Sequence, residues 1–251
     1  MPKIYSSLEG FLLIKKPRDV TSYSIINRLK RIIDRKVRIG HAGILDMFAS
    51  GLLVVGIGRA ATRQLRHYMI LDKRYRATGK FGQLTDSLDH QGASILDENP
   101  PIIMNEQLEA TLRSFGNSYE QIPPIYSSLK HEGYSLSDLI RKGLKTTQEL
   151  ERVVLHKKRA VSLYELKLID LSHPFFTIEA HVSHGTYIRS LMNDIAQKMG
   201  THATTYELTR TSIGSLSVED AIAIDSIAVF NDIKKYLITV EEMSKHIECT
   251  R

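Results

Sequence analysis

Three short segments of this chain hold residue types able to do chemistry. The first runs from Gly40 to Gly51 (GHAGILDMFASG), where His41 and Asp46 stand in an otherwise apolar, glycine-punctuated stretch. A carboxylate among apolar neighbours is costly to keep charged without a partner, so Asp46 reads either as a turn-capping residue or as a reactive group. The second runs from Lys73 to Ala77 (KRYRA), with Tyr75 between cations on an alternating strand pattern. Such a segment is an ordinary exposed strand, or a face on which a nucleic-acid base stacks beside charge that meets phosphate. The third, Gly185 to Arg189 (GTYIR), opens a helical pattern in which Arg189 lies just off the apolar stripe. There it is either a surface arginine or the partner of a buried carboxylate.

Many familiar sites are missing. The chain has no GxxxxGK[ST] loop, no GxGxxG after a strand, no HExxH and no GxSxG. His181 and His184 form an HxxH without a third ligand, so neither a metal nor another cofactor is expected. Cys249 is the only cysteine, which excludes an intrachain disulfide, a cysteine zinc site and a CxxC redox pair. The net charge of +6 favours an acidic partner. No apolar run approaches the ~20 residues that span a bilayer, and the opening MPKIYSSLEG lacks a signal-peptide pattern, so a soluble, cytoplasmic protein is expected. At 251 residues, 42% hydrophobic and 25% charged, the chain suffices for one main globular domain.

The elements that must position these residues are legible from periodicity and punctuation. Gly10 to Lys15 reads as a strand, and Thr21-Ser22 opens a helix with Ile25, Ile26, Leu29, Ile32 and Ile33 on one stripe. Its off-stripe bases Arg28, Lys30, Arg31 and Arg35 are solvated or face phosphate. Residues 40–51 form a loop leading into the strand Leu52 to Ile57 and a helix after Gly58. Lys73 to Gly82 is a strand, Thr85 to Gly92 a polar loop, and Asn105 to Phe115 and Tyr134 to Arg141 are helices. Arg159 to Leu171 and Phe175 to Val182 pair antiparallel around His173-Pro174. A helix follows within His184 to Gly200, with Thr186 as its N-cap and Gly200 closing it. Strands interleaved irregularly with helices indicate an α+β fold.

Taken together and in order, these segments resemble the bacterial tRNA pseudouridine synthase family called TruB. The resemblance is carried by Lys15-Lys16-Pro17 with Thr21-Ser22, by Gly40-His41-Ala42-Gly43-Ile44-Leu45-Asp46 with Ala49-Ser50-Gly51, and by Arg59 to Arg63. It continues through Lys73-Arg74-Tyr75, Gly82 with Thr85-Asp86 and Asp89, Gln121 with Pro123-Pro124 and Tyr126-Ser127, Gly185 to Arg189, and Leu208 to Thr211. It implies the pseudouridine synthase fold, a mixed, mainly antiparallel central sheet flanked by helices. It also implies isomerisation of the T-loop uridine of tRNA, position 55, by flipping the base and remaking its glycosidic bond. On that resemblance Asp46 is the catalytic carboxylate, as nucleophile or as base toward the sugar 2′ proton. Arg189 pairs with it, and Tyr75 stacks on the base. Tyr187 and Leu208 line the pocket, His41 wedges the T-loop open, and Lys16 and Arg63 hold phosphates.

Two residues depart from the family pattern: Ile44 stands where Thr or Ala is common, and Met47 where Pro usually follows the aspartate. Losing that proline frees the loop backbone. The resemblance places a catalytic domain in residues 1–225 and leaves 226–251 as a short tail, with the family's PUA-type RNA-binding domain absent or vestigial. The expected partner is the tRNA T-arm, with no membrane, no obligate protein partner and a monomeric state. Two alternatives remain open: a non-catalytic tRNA-binding folding chaperone on the same scaffold, and the same chemistry on another RNA.

Overall fold

The computed structural model describes residues 8–248; Cys249 and Arg251 lie outside them. In chain order the elements are β1 (Gly10–Lys16), α1 (Ser22–Ile32), β2 (Ile39–His41), β3 (Ser50–Ile57), α2 (Gly58–Met69), β4 (Lys73–Phe81), β5 (Gln83–Thr85) and β6 (Ser94–Asp97). Next come α3 (Asn105–Ser114), β7 (Ser118–Gln121), β8 (Lys130–His131), β9 (Tyr134–Ser135), α4 (Leu136–Arg141) and α5 (Thr147–Leu155). The chain continues through β10 (Arg159–Ser172), β11 (Phe175–Val182), α6 (Ile188–Lys198), β12 (Ala203–Ile213), β13 (Leu216–Ser217), β14 (Ile222–Ala223), α7 (Phe230–Tyr236) and α8 (Val240–Glu248). This is an α+β fold with a mixed sheet flanked by helices. It divides into two compact units, one made of the residues up to Tyr75 and from Leu208 onward, the other of Arg76–Glu207.

In the first unit the strands run in the order β14-β1-β3-β12, with β2 on β3 and β13 on β12. β1 is antiparallel to β3 from Gly10↔Ile57 to Lys16↔Gly51, whereas β14 is parallel to β1 and β12 parallel to β3. Both faces are covered, which is why β1 and β3 read as near-continuous apolar runs. Leu12, Ile14, Leu53, Val55 and Ile57 meet α1 through Ile25, Ile26 and Leu29. The alternate residues Phe11, Leu13, Leu52 and Val54 meet α2 through Ala61, Leu65 and Tyr68. Ile227, Ile233 and Met243 are buried in the same two cores, so much of the segment after Ser226 is packed into this unit. Thr21 caps α1 as its type predicts, accepting from the Ser24 amide, and Arg28 is spoken for by Asp225 and the Ile227 carbonyl.

In the second unit β4, β11, β10 and β7 are successive neighbours. β10 and β11 pair antiparallel as the sequence indicates, and β7 adds on through Arg159↔Gln121 to Ser162↔Ser118. Phe81 and Phe176 stack with centroids 4.1 Å apart. Ile125, Leu136, Leu139, Leu150 and Val154 form a separate small core under α4 and α5.

Two expectations shift, and two segments gain an element. The helix expected from Tyr134 starts at Leu136, because Tyr134–Ser135 first pair with Lys130–His131 and Ser135 then caps the helix. Thr186 does not cap α6: its hydroxyl donates to the Ser183 carbonyl at 2.9 Å, and the helix begins after Tyr187. The segment Leu208 to Thr211 lies on the long strand β12, and α5 has no counterpart in the sequence reading.

Candidate active site

Asp46 sits half-buried in the loop that leaves β2 and returns to β3. Leu45, Phe48 and Ala49 are buried and pin the loop to the core, while Ile44 and Met47, the two unusual residues, are exposed. Hydrogen bonds do what a proline would otherwise do for the backbone. The Ser22 hydroxyl accepts from the Leu45 amide at 3.0 Å and donates to the Leu45 carbonyl at 3.2 Å. The Ala49 amide donates to the Asp46 carbonyl at 3.2 Å. Lys16 is fully buried, and its ammonium donates to the carbonyls of Val20 (2.6 Å), Pro17 (2.9 Å) and Met47 (3.2 Å). It is therefore a loop anchor and not the phosphate ligand expected, because its three donors already have acceptors. Burial pushes its pKa down to about 8, against the pull of the Asp46 and Asp19 carboxylates.

Arg210, also buried, donates from Nε to the Leu52 carbonyl at 2.8 Å and from Nη2 to the Gly43 carbonyl at 3.3 Å. Gly51 makes room for its strand: at φ +114°, a Cβ there would lie 2.2 Å from the Arg210 carbonyl oxygen. His41 ends β2 with a buried Nδ1 that has no hydrogen-bond partner among the described residues, and burial together with Arg210 lowers its pKa against a hydrogen bond to the Gly43 backbone. It lines an open concavity of about 450 Å³ with Arg38, Arg63 and Arg66 around Leu65 and Met69. Arg63 is exposed there, as a phosphate contact requires.

Tyr75 is half-buried on β4 between the exposed Arg74 and Arg76, and Leu208 is buried on β12. Lys73 does not contribute surface charge. It is buried and donates to the carbonyls of Met69 at 2.6 Å and of Leu71, with its pKa lowered to about 8 by burial and by Arg210.

The second unit holds Tyr187 and Arg189 at the start of α6. Arg189 is 4% exposed, donates to the carbonyls of Ser87 and of Tyr126 (2.8 Å), and approaches Asp89 Oδ2 at 3.8 Å. Thus a carboxylate near Arg189 within its own unit is Asp89, in the polar loop between β5 and β6. The Tyr126 hydroxyl donates to Asp86 Oδ2 at 2.9 Å, tying a second point to that loop. Asp89, Gln121 and Arg210 stand inside the motifs, but nothing local to them assigns a task; a polar type within a motif is the signal they carry. His181 packs against the Tyr164 ring at 4.8 Å, and among the described residues no three His, Cys, Asp or Glu side chains converge as metal ligands.

The chain is similar to known proteins along most of its length. The model of the N-terminal domain of TruB family pseudouridylate synthases matches residues 30–188. A protein of Desulfotalea psychrophila called tRNA pseudouridine synthase B is 35% identical over 242 residues, covering 95% of this chain and 97% of its own. One of the same name from Bordetella avium is 37% identical, covering 94% and 93%. The human pseudouridylate synthase TRUB1 is 35% identical, covering 92% of this chain and 68% of its own. Among solved structures, an H/ACA ribonucleoprotein bound to a substrate RNA matches with a TM-score of 0.66, and a Cbf5-Nop10-Gar1 complex with 0.69. At 20% and 21% identity these carry the fold alone, and this chain spans 61% and 64% of their lengths. Matched by the family model over more than half its length, and by such relatives along nearly all of it, the chain belongs to the TruB family of pseudouridylate synthases.

Proposed function

We propose that this protein isomerises uridine to pseudouridine in tRNA, acting on the T-loop uridine, with Asp46 as its catalytic carboxylate. The observation that carries the reading is the 35% identity along 95% of the chain to a tRNA pseudouridine synthase B. The geometry of the Asp46 loop supports it: Ser22 and Lys16 anchor the loop backbone at Leu45 and Met47, and Asp46 stays half-exposed beside the exposed Ile44 and Met47. The reaction exchanges an N1–C1′ bond for a C5–C1′ bond and needs no external electrons or transferred group. Asp46 acts on the sugar, at C1′ as nucleophile or at the 2′ proton as base. Tyr75 stacks on the flipped base, and Arg189 supplies positive charge. Tyr187 and Leu208 line the base pocket. The T-loop assignment rests on the sequence resemblance, and the arginine-lined concavity at His41 and Arg63 is suited to the phosphates of an RNA backbone.

The test uses tRNA transcribed with tritium at uridine C5. Isomerisation releases that label, and chemical mapping then locates the pseudouridine. Release of about one label per tRNA, mapped to the T-loop, is expected. No release overturns the activity; release from another position overturns only the T-loop assignment.

A further inference from the structure

Gln121, at the end of β7, is 1% exposed and grips the backbone of Tyr187 at two points. Its Oε1 accepts from the Tyr187 amide at 2.8 Å, and its Nε2 donates to the Tyr187 carbonyl at 3.0 Å. The remaining Nε2 hydrogen goes to the Tyr119 hydroxyl at 2.5 Å, which in turn donates to Asp194 Oδ2 at 3.0 Å. Both donors of the amide are thereby used, and the contacts close a ring: from the N-cap of α6 to β7 and back to the second turn of α6. A surface helix would be capped by a serine, threonine or aspartate, whereas Tyr187 has no side-chain cap bond of its own. A two-point amide grip does more than a cap, because it fixes the rotation of the gripped peptide as well as its position. The neighbour of Gln121 across the sheet, Arg159, holds the other end of the residue: its guanidinium lies 5.1 Å from the centre of the Tyr187 ring and donates to the Gly185 carbonyl. The Ser190 hydroxyl adds a tie from the first turn of α6 to the Ile122 carbonyl at 2.9 Å.

We propose that Gln121 is a positioning residue for Tyr187 and the first turn of α6, held in register by Tyr119 and Asp194. The inference rests on the reading of Tyr187 as a pocket residue. Gln121 touches no substrate, so its effect lies in the rate of the bound complex and not in tRNA affinity. Gln121→Met keeps the side-chain length and removes every bond; Tyr119→Phe keeps the ring that packs edge-on against Phe115 and removes only the hydroxyl. In folded Gln121→Met, kcat should fall by about tenfold or more while tRNA Kd stays within about twofold; Tyr119→Phe should lose about threefold or more in kcat alone. Should Gln121→Met not fold, Tyr119→Phe decides. Wild-type kcat in either folded variant, or a loss confined to Kd, overturns the proposal. Exchange of the Tyr187 amide hydrogen in free protein gives a readout that needs no activity: it should quicken by about tenfold or more in Gln121→Met, and unchanged protection overturns the grip. An inactive wild type would refute the proposed activity and leave that exchange measurement to judge Gln121.

Discussion

Arg210 donates its Nε–H to the Leu52 carbonyl at 2.8 Å, standing in for a backbone partner at a gap in the sheet. On that edge of β3, β2 pairs with residues 55–57 and the Ala42 amide takes the Val54 carbonyl, while β12 pairs only with Ser50 and Gly51. Leu52 falls between the two ladders, where the chain departs to form the Asp46 loop. Arg210 fills the gap and also reaches Gly43 in the loop itself. Arg210→Ala would leave the buried Leu52 carbonyl without this donor and release Gly43, so it should lower unfolding free energy by about 2–4 kcal/mol in urea titration and reduce turnover. Arg210→Lys, with one compact ammonium, should recover part of the stability.

Asp46→Asn keeps the size of the side chain and the loop anchored by Ser22 and Lys16, but removes the charge and basicity needed at the sugar. Isomerisation should fall below about one-thousandth of wild type with tRNA Kd within about threefold. Turnover within tenfold of wild type would sink the assignment.

Arg189 divides its donors between the Ser87 and Tyr126 carbonyls and lies close to Asp89. A lysine cannot span these diverging acceptors, so Arg189→Lys should lose about 100-fold or more in kcat and lower Tm by several degrees. Retention of full activity would remove Arg189 from the reaction.

Burial pushes the Asp194 carboxyl from 3.8 up to about 6, opposed only in part by the Tyr119 hydroxyl. Since the folded pKa is the higher, the native state holds the extra proton between about pH 4 and 6. Its stabilising contribution is whole below about pH 4 and is lost as pH rises through about 6. The stability of wild type relative to Asp194→Asn should therefore shrink by about 1–3 kcal/mol between pH 4 and pH 6.5, read by denaturant unfolding at each pH. A constant difference would mean that Asp194 titrates normally.

Arg63 and Arg66 line the concavity beside His41 and are both exposed. Replacing either by Ala should weaken tRNA binding and lower the slope of log Kd against log salt by about one per lost phosphate contact. An unchanged slope would take that residue off the RNA path.

Local order was written plainly in the sequence. The strand at Gly10, the helix capped by Thr21, the β10–β11 pair and the glycine-rich loop around Asp46 each follow from neighbours within a few residues. Periodicity, caps and turns are short-range signals, and a set of motifs in order is read along one dimension. Which cations face water was decided elsewhere. Lys16 is withdrawn from solvent partly by a carbonyl 31 residues away, and Arg210 by one 158 residues away. Asp89 reaches the neighbourhood of Arg189 across 100 residues, and Gln121 that of Tyr187 across 66. A buried charge or amide is stable only where donors and acceptors from distant segments converge on it, and that convergence exists only once the sheet has brought those segments together.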